Sequence, residues 1–311
     1  MKKLVYYIGI LICTSIFFFS CIKEDLSNCP QGIGNIVPQL VLIPYDGNNI
    51  TNKDLQSADV YVFNEADTLV ATYSIGVNPE LNKIYSPGWE LSPGKYTYIA
   101  WANHHNASFR IDPYTLRQTK QTQTFLEFLV PETRIVDNAS KIPLLCFGHL
   151  INDSLTAANQ LIKIPIMQLT NTINLTVSGL SLSLGNDFTF SINDNNGIYE
   201  FNGSFASDDF FTYSTTNQAI SGVFNASLTV LKLSKDRNNP TLAIKNNSTG
   251  ETFSSGLIQL ILAAIPDNDF DKTHVYNITI SNPFSTETEP PFTITINGWI
   301  VDLSNVNLNI N

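Results

Sequence analysis

The strongest constraint in this sequence is a period of two. Residues 306–311 read Val306-Asn307-Leu308-Asn309-Ile310-Asn311, and Phe188, Phe190 and Ile192 are spaced by twos with polar residues between them. Residues 174–184, 223–233, 275–281 and 292–296 repeat the alternation. Successive side chains on an extended strand point to opposite faces, so each stretch predicts a half-buried β-strand rather than one face of a helix.

The first half carries the same signal with more interruptions. Residues 33–45 are apolar but broken by Pro38 and Pro44. Proline removes a ladder donor, which predicts an edge or bulged strand. Residues 58–63 and 69–75 form a predicted hairpin about residues 64–68. Ser92-Pro93-Gly94 is a turn leading into residues 95–102, which set Tyr96, Tyr98 and Ala100 on one face and Thr97, Ile99 and Trp101 on the other. Residues 142–150 and 161–167 are further predicted strands, and 112–120 a short helix. Asn195-Asn196-Gly197 predicts a hairpin turn from which Tyr199 and Phe201 return. The apolar run 257–265, closed by Pro266, predicts a central strand covered on both faces.

So many strands with so few helical stretches predict an all-β chain of sandwiches. A length of 311 residues suits two of them, with the boundary near residues 166–172. The expected organisation is 1–20 signal peptide, 21–32 tether, 33–167 first sandwich and 168–311 second sandwich. Charged residues make up only 14% and the formal net charge is −10, which argues against nucleic acid as a partner.

The N-terminal end reads as an export signal. Lys2 and Lys3 precede an apolar stretch over residues 4–19, then Ser20 and Cys21. A cysteine directly after the small residue is the pattern of a lipoprotein signal, with Cys21 lipidated. The apolar stretch is shorter than the roughly 20 residues of a membrane span. Lys23, Glu24 and Asp25 follow at once. Cys29 and Cys146 remain, and two readings stand for them: one disulfide in an oxidising compartment, or two buried thiols.

Several segments together resemble the fimbrillin-A-associated anchor proteins, the FimB-like and Mfa-type anchors of type V pili. They are the lead from Cys21 to Pro30, Ala58-Asp59-Val60-Tyr61-Val62-Phe63, residues 91–103, Phe147-Gly148, Leu169-Thr170-Asn171-Thr172-Ile173 and Asn196-Gly197-Ile198-Tyr199. The resemblance implies two transthyretin-like sandwiches in tandem on an outer-membrane lipoprotein. Such a protein holds a pilus to the cell surface and ends its assembly, with a fimbrial stalk subunit as partner and no enzymatic activity. Lys23, Glu24 and Asp25 resemble the surface-export signal of Bacteroides-type lipoproteins. Asp67-Thr68-Leu69 and Asp153-Ser154-Leu155 resemble their O-glycosylation triplet, with Thr68 and Ser154 as acceptors. Stalk subunits of similar fold are cut after an arginine to open a groove. Here the first arginine is Arg110, and Lys53 is the substitute in the first loop. An uncut first strand fills its own groove, so the chain could donate a strand but not receive one. Val306, Leu308 and Ile310 are the donor knobs on this reading. The other reading is that the last strand closes this protein's own sheet.

No catalytic or cofactor pattern emerges, and none is expected. His104-His105 would point to opposite faces of a strand and so not share an ion, and they read with His149 and His274 as solvated turn residues. Asp208, Asp209 and Glu200 lie among loop residues rather than as a paired carboxylate site. Residues 267–271 lack the glycine and closing glutamate of a calcium loop. The sequons at Asn174 and Asn225 carry no weight in a bacterial host. The alternative function is a tip adhesin or a surface lipoprotein binding glycan or host protein, with Trp89 as a stacking platform or, more simply, a packed loop residue.

Overall fold

The structure is a computed structural model that describes residues 36–111, 121, 124–137, 142–180, 187–237, 240–284 and 292–310. The expected signal peptide, the tether and the 112–120 helix lie outside the described residues.

The chain is nearly all β. In order the strands are β1 (Gln39–Pro44), β2 (Ser57–Asn64), β3 (Leu69–Val77), β4 (Gly94–Ala102), β5 (Phe109–Ile111), β6 (Phe125–Phe128), β7 (Ile135–Asp137), β8 (Cys146–Leu155), β9 (Leu161–Gln168) and β10 (Thr170–Ser178). There follow β11 (Asp187–Asp194), β12 (Ile198–Glu200), β13 (Phe211–Gln218), β14 (Phe224–Leu231), β15 (Thr241–Asn246) and β16 (Thr252–Gly256). The helix α1 (Leu257–Ala264) precedes β17 (Val275–Ser281), β18 (Thr293–Ile296), β19 (Trp299–Ile300) and β20 (Leu308–Ile310).

The first sheet has the order β1-β9-β8-β4-β2-β3. β1 lies at its edge, as the flanking Pro38 and its own Pro44 favour, parallel to β9 over six register pairs from Gln39↔Leu161 to Pro44↔Ile166. The β2–β3 hairpin turns where Asn64 Oδ1 accepts from the amides of Ala66 and Thr68. β2 and β4 are buried on both faces. Ala58, Val60, Val62, Tyr96, Tyr98 and Ala100 face one core with Leu40, Leu42, Ile162 and Ile164. Tyr61, Phe63, Ile99 and Trp101 face the other.

That other core is shared with the second half of the chain. Tyr61 meets Phe201 edge to face at 4.7 Å, and Trp101 lies 4.8 Å from Phe147 and 6.1 Å from Tyr199. Gly203, at φ +85°, approaches so closely that a Cβ there would fall 2.4 Å from the Phe147 ring. Two further sheets, β14-β10-β17-β18-β19 and β20-β16-β15-β11-β13-β7, sandwich Leu175, Ile278, Phe190 and Ile244. A small sheet β12-β6-β5 stands beside them. β5, β6 and β7 thus precede β8 in the chain yet belong to sheets completed by β12 and β13.

Two expectations are corrected. Residues 257–264 are helix, not strand. Leu257, Ile258, Leu260, Ile261 and Ala264 are buried, a 3.6-residue spacing that a run with Gln259 as its one polar residue barely marks. Ile265 leaves the helix just before Pro266, whose ring disfavours helical backbone at the residue preceding it. Residues 195–197 do not turn a hairpin: β11 pairs with β13 and β15, while β12 pairs with β6. Asn196 is instead fully buried as a polar tie, accepting from the Tyr213 hydroxyl at 2.7 Å and donating to the Lys232 carbonyl at 3.2 Å.

Candidate functional site

The C-terminal segment is built from a stop and a short edge strand. Val301 is buried, and a 3-10 turn (Leu303–Asn305) follows. Asp302 caps it, Oδ1 accepting from the Ser304 amide at 3.0 Å. β20 then lies antiparallel on β16 over three pairs, Ser255↔Leu308, Ser254↔Asn309 and Phe253↔Ile310. The Ser255 hydroxyl reinforces it by donating to the Asn307 carbonyl at 3.0 Å. Val306 and Leu308 pack against the core from its margin, while Ile310 is 54% exposed. β20 therefore occupies the edge of its own sheet, held by little.

At the other end, Cys21, Lys23, Glu24, Asp25 and Cys29 lie outside the described residues. Cys146 is fully buried in the aliphatic core and is a free thiol among the described residues, its pKa pushed up by burial. Thr68 is exposed at the β2–β3 turn, and Ser154 is exposed one residue before the end of β8. Lys53 is exposed in a 3-10 turn (Asn52–Asp54). Trp89 is half-buried, donates from Nε1 to the Thr72 carbonyl at 2.9 Å and meets Tyr73 edge to face. It is a packed loop residue. The exposed tryptophan is Trp299, 65% accessible beside Ile300 at 75% on the β18–β19 hairpin.

The histidines depart from expectation. Asn103 takes φ +65° and ends β4, so His104 and His105 sit on a turn rather than on a strand. Asn103 anchors that turn: its Oδ1 accepts from the Gln56 amide at 2.7 Å and its Nδ2 donates to the Asp54 carbonyl at 2.6 Å. Both rings reach Asp59 of β2. Nε2 of His104 lies 3.2 Å and Nε2 of His105 2.5 Å from the same carboxylate oxygen, Oδ2. His104 is 6% exposed and so is not solvated. Burial pushes the Asp59 carboxyl up, but hydrogen bonds from His104, His105 and Ser74, with the charge of His104, outweigh it and hold the group at about 2. His274 is half-buried with Nε2 at 2.9 Å from Asn48 Oδ1, and the half-buried His149 ring has its pKa lowered by burial.

Four other carboxylates have protein partners. Asp208 Oδ2 accepts from the Gly197 amide at 3.1 Å and Glu200 from Asn202 at 3.3 Å. Asp271 is paired with Lys232 at 2.5 Å, and Asp269 accepts from the Asp271 amide at 3.0 Å.

Comparison with known proteins places the fold. No curated protein sequence matches the chain. The fimbrial anchor protein Mfa2 from Porphyromonas gingivalis superposes with TM-score 0.69 at 19% identity, over 86% of this chain and 99% of that one. A candidate adhesin from Bacteroides thetaiotaomicron gives TM-score 0.69 at 18% identity, over 86% and 98%. A candidate polysaccharide-binding protein from the same organism gives 0.68 at 18%, over 87% and 99%. At these identities the likeness speaks for the fold alone. The family of fimbrillin-A associated anchor proteins Mfa1 and Mfa2 matches residues 26–305, nearly the whole chain. The chain belongs to that family.

Proposed function

We propose that this chain is an outer-membrane lipoprotein that holds a type V fimbria to the cell surface and ends its assembly. The observation that carries the reading is membership of the anchor family across residues 26–305. On this reading Cys21 bears the lipid, Lys23, Glu24 and Asp25 route the protein to the outer face, and a stalk subunit is the partner. Thr68 and Ser154 are the proposed glycan acceptors. The chain divides as two tandem sandwiches over 33–167 and 168–311, with β5, β6 and β7 of the first completing sheets of the second.

The proposed means of attachment is donation of residues 306–311 to a groove of the stalk subunit. Two features support it. β20 is held by three pairs, and at about 1 kcal/mol net per backbone hydrogen bond its release costs only a few kcal/mol. β1, by contrast, stays in its own sheet with Leu40 and Leu42 fully buried, as suits a first strand that is not cut away. A stable β1 favours a subunit that gives a strand and takes none.

The test is fimbrial retention on cells. Deleting residues 306–311 should leave the protein on the surface and shed the fimbriae. Cys21→Ala should release protein and fimbriae together into the medium. Fimbriae held as firmly as in the parent strain after the deletion would sink donation. Fimbriae that stay cell-bound with Cys21→Ala would favour the adhesin reading, for which the exposed Trp299 and Ile300 are the observation in hand.

A further inference from the structure

Asp59, His104 and His105 lie at the mouth of a cavity of about 630 Å³, lined also by Tyr61, Asn106 and Phe109. One ligand-type atom from each of the three lies within 4.8 Å of the others. We propose that these three residues form a binding site for a first-row transition cation, with zinc as the ion.

The donor set fits. Two imidazoles and one carboxylate are the hard-to-borderline ligands that suit zinc, and three protein ligands leave a fourth position for water. Ligand atoms of a tetrahedral zinc site with bonds of about 2.0–2.1 Å stand roughly 3.3 Å apart. His104 Nε2 already stands 3.2 Å from Asp59 Oδ2. His105, at 2.5 Å, must retreat by less than an ångström, and its side chain is 54% exposed and free to do so.

The groups around the site leave capacity unused. Asp59 Oδ1 and His104 Nδ1 are buried without a hydrogen-bond partner. The turn is preorganised: the Asn106 amide donates to the His104 carbonyl at 2.9 Å, and Asn106 Oδ1 accepts from the Ser108 amide at 2.7 Å. The two rings already lie with centroids 4.2 Å apart. Two imidazoles converge on Oδ2, which also accepts from the Tyr61 hydroxyl at 3.4 Å. Convergence of the two rings on that atom, beside a cavity, brings three ligand groups together as a chelate requires. A bound ion would clasp β2 to the turn that launches β5, and so tie the first sheet to the small sheet of the second half.

The experiment is isothermal titration of the EDTA-stripped, purified chain with zinc chloride, paired with thermal unfolding. The expected result is one zinc per chain and a higher Tm with zinc present. His105→Ala, an exposed position, should still fold in EDTA, with a modestly lower Tm because Asp59 loses one hydrogen bond, and bind zinc at least about tenfold more weakly. His274→Ala should retain full binding. Asp59→Asn should behave as His105→Ala, and circular dichroism checks its fold. Zinc uptake equal in the parent and His105→Ala, or lost in His274→Ala instead, would overturn the proposal, as would no uptake by the parent.

Discussion

The two faces of the first sheet are packed by different chemistry. One face is mainly aliphatic, with Leu40, Leu42, Val60, Val62, Ala100, Ile162 and Ile164 beside Tyr96 and Tyr98, and every residue of that core lies between Ile36 and Ile166. The other face is aromatic, and Tyr61, Trp101 and Phe147 find their partners in Tyr199, Phe201 and Gly203. The aliphatic face completes itself. The aromatic face is a joint that exists only when the second half is in place. Large flat rings suit it, because each buries much surface and locks by edge-to-face geometry.

The largest test of that contrast is Trp101→Ala. It empties a fully buried site at the joint and should cost about 3–5 kcal/mol in urea unfolding followed by circular dichroism. The expected curve separates into two transitions, as the halves lose their coupling. A single transition shifted by under about 1 kcal/mol would break the comparison. Leu40→Ala is the control on the aliphatic face. It should cost about 2–4 kcal/mol and leave the second half's transition in place.

A smaller effect belongs to a buried carboxyl of the second half. Burial pushes Asp194 up to about 6, against the opposing pull of the Asn195 amide and Arg237. A folded pKa above the unfolded value means that the folded chain binds more protons between about pH 4 and 6, so stability falls as pH rises through that window. Asp194→Asn should flatten this slope and raise stability at pH 7.5 by about 1–2 kcal/mol. Asp59 acts with the opposite sign in another window: its pKa of about 2 contributes stability above about pH 4 that is lost as pH falls towards 2. A mutant slope between pH 4 and 6 as steep as the parent's would refute the assignment. Smallest of all, Trp299→Ser should change stability by less than about 0.5 kcal/mol, since the ring is 65% exposed. A larger loss by thermal unfolding would make the β18–β19 rim structural.

Much of this was legible because period two survives burial on one face. Residues 275–281 are β17 to the residue, and the alternation in residues 95–102 places Tyr98 and Trp101 in separate cores as expected. The misses share a cause. Residues 257–264 carry one polar residue, Gln259, too little to tell a buried helix from a buried strand. Asn195 to Gly197 carry turn chemistry but are held by distant groups, Tyr213 and Asp208, that no local reading reveals. His104 and His105 converge because Asn103 adopts a left-handed backbone, and the signal available was that Asn tolerates it. Their common partner, Asp59, lies 46 positions from His105 and had no local signal at all.

β1 has a mechanical consequence. It runs parallel to β9, with six rungs in register, and Ile36 adds a reciprocal bridge to Leu91 just before it. For a chain held from its N-terminal side, tension along β1 meets those rungs in shear, all strained together. β20 has three rungs at a free edge, and a pull across it opens them one at a time. Six rungs in register at β1 therefore resist such a pull more than three rungs at a free edge do.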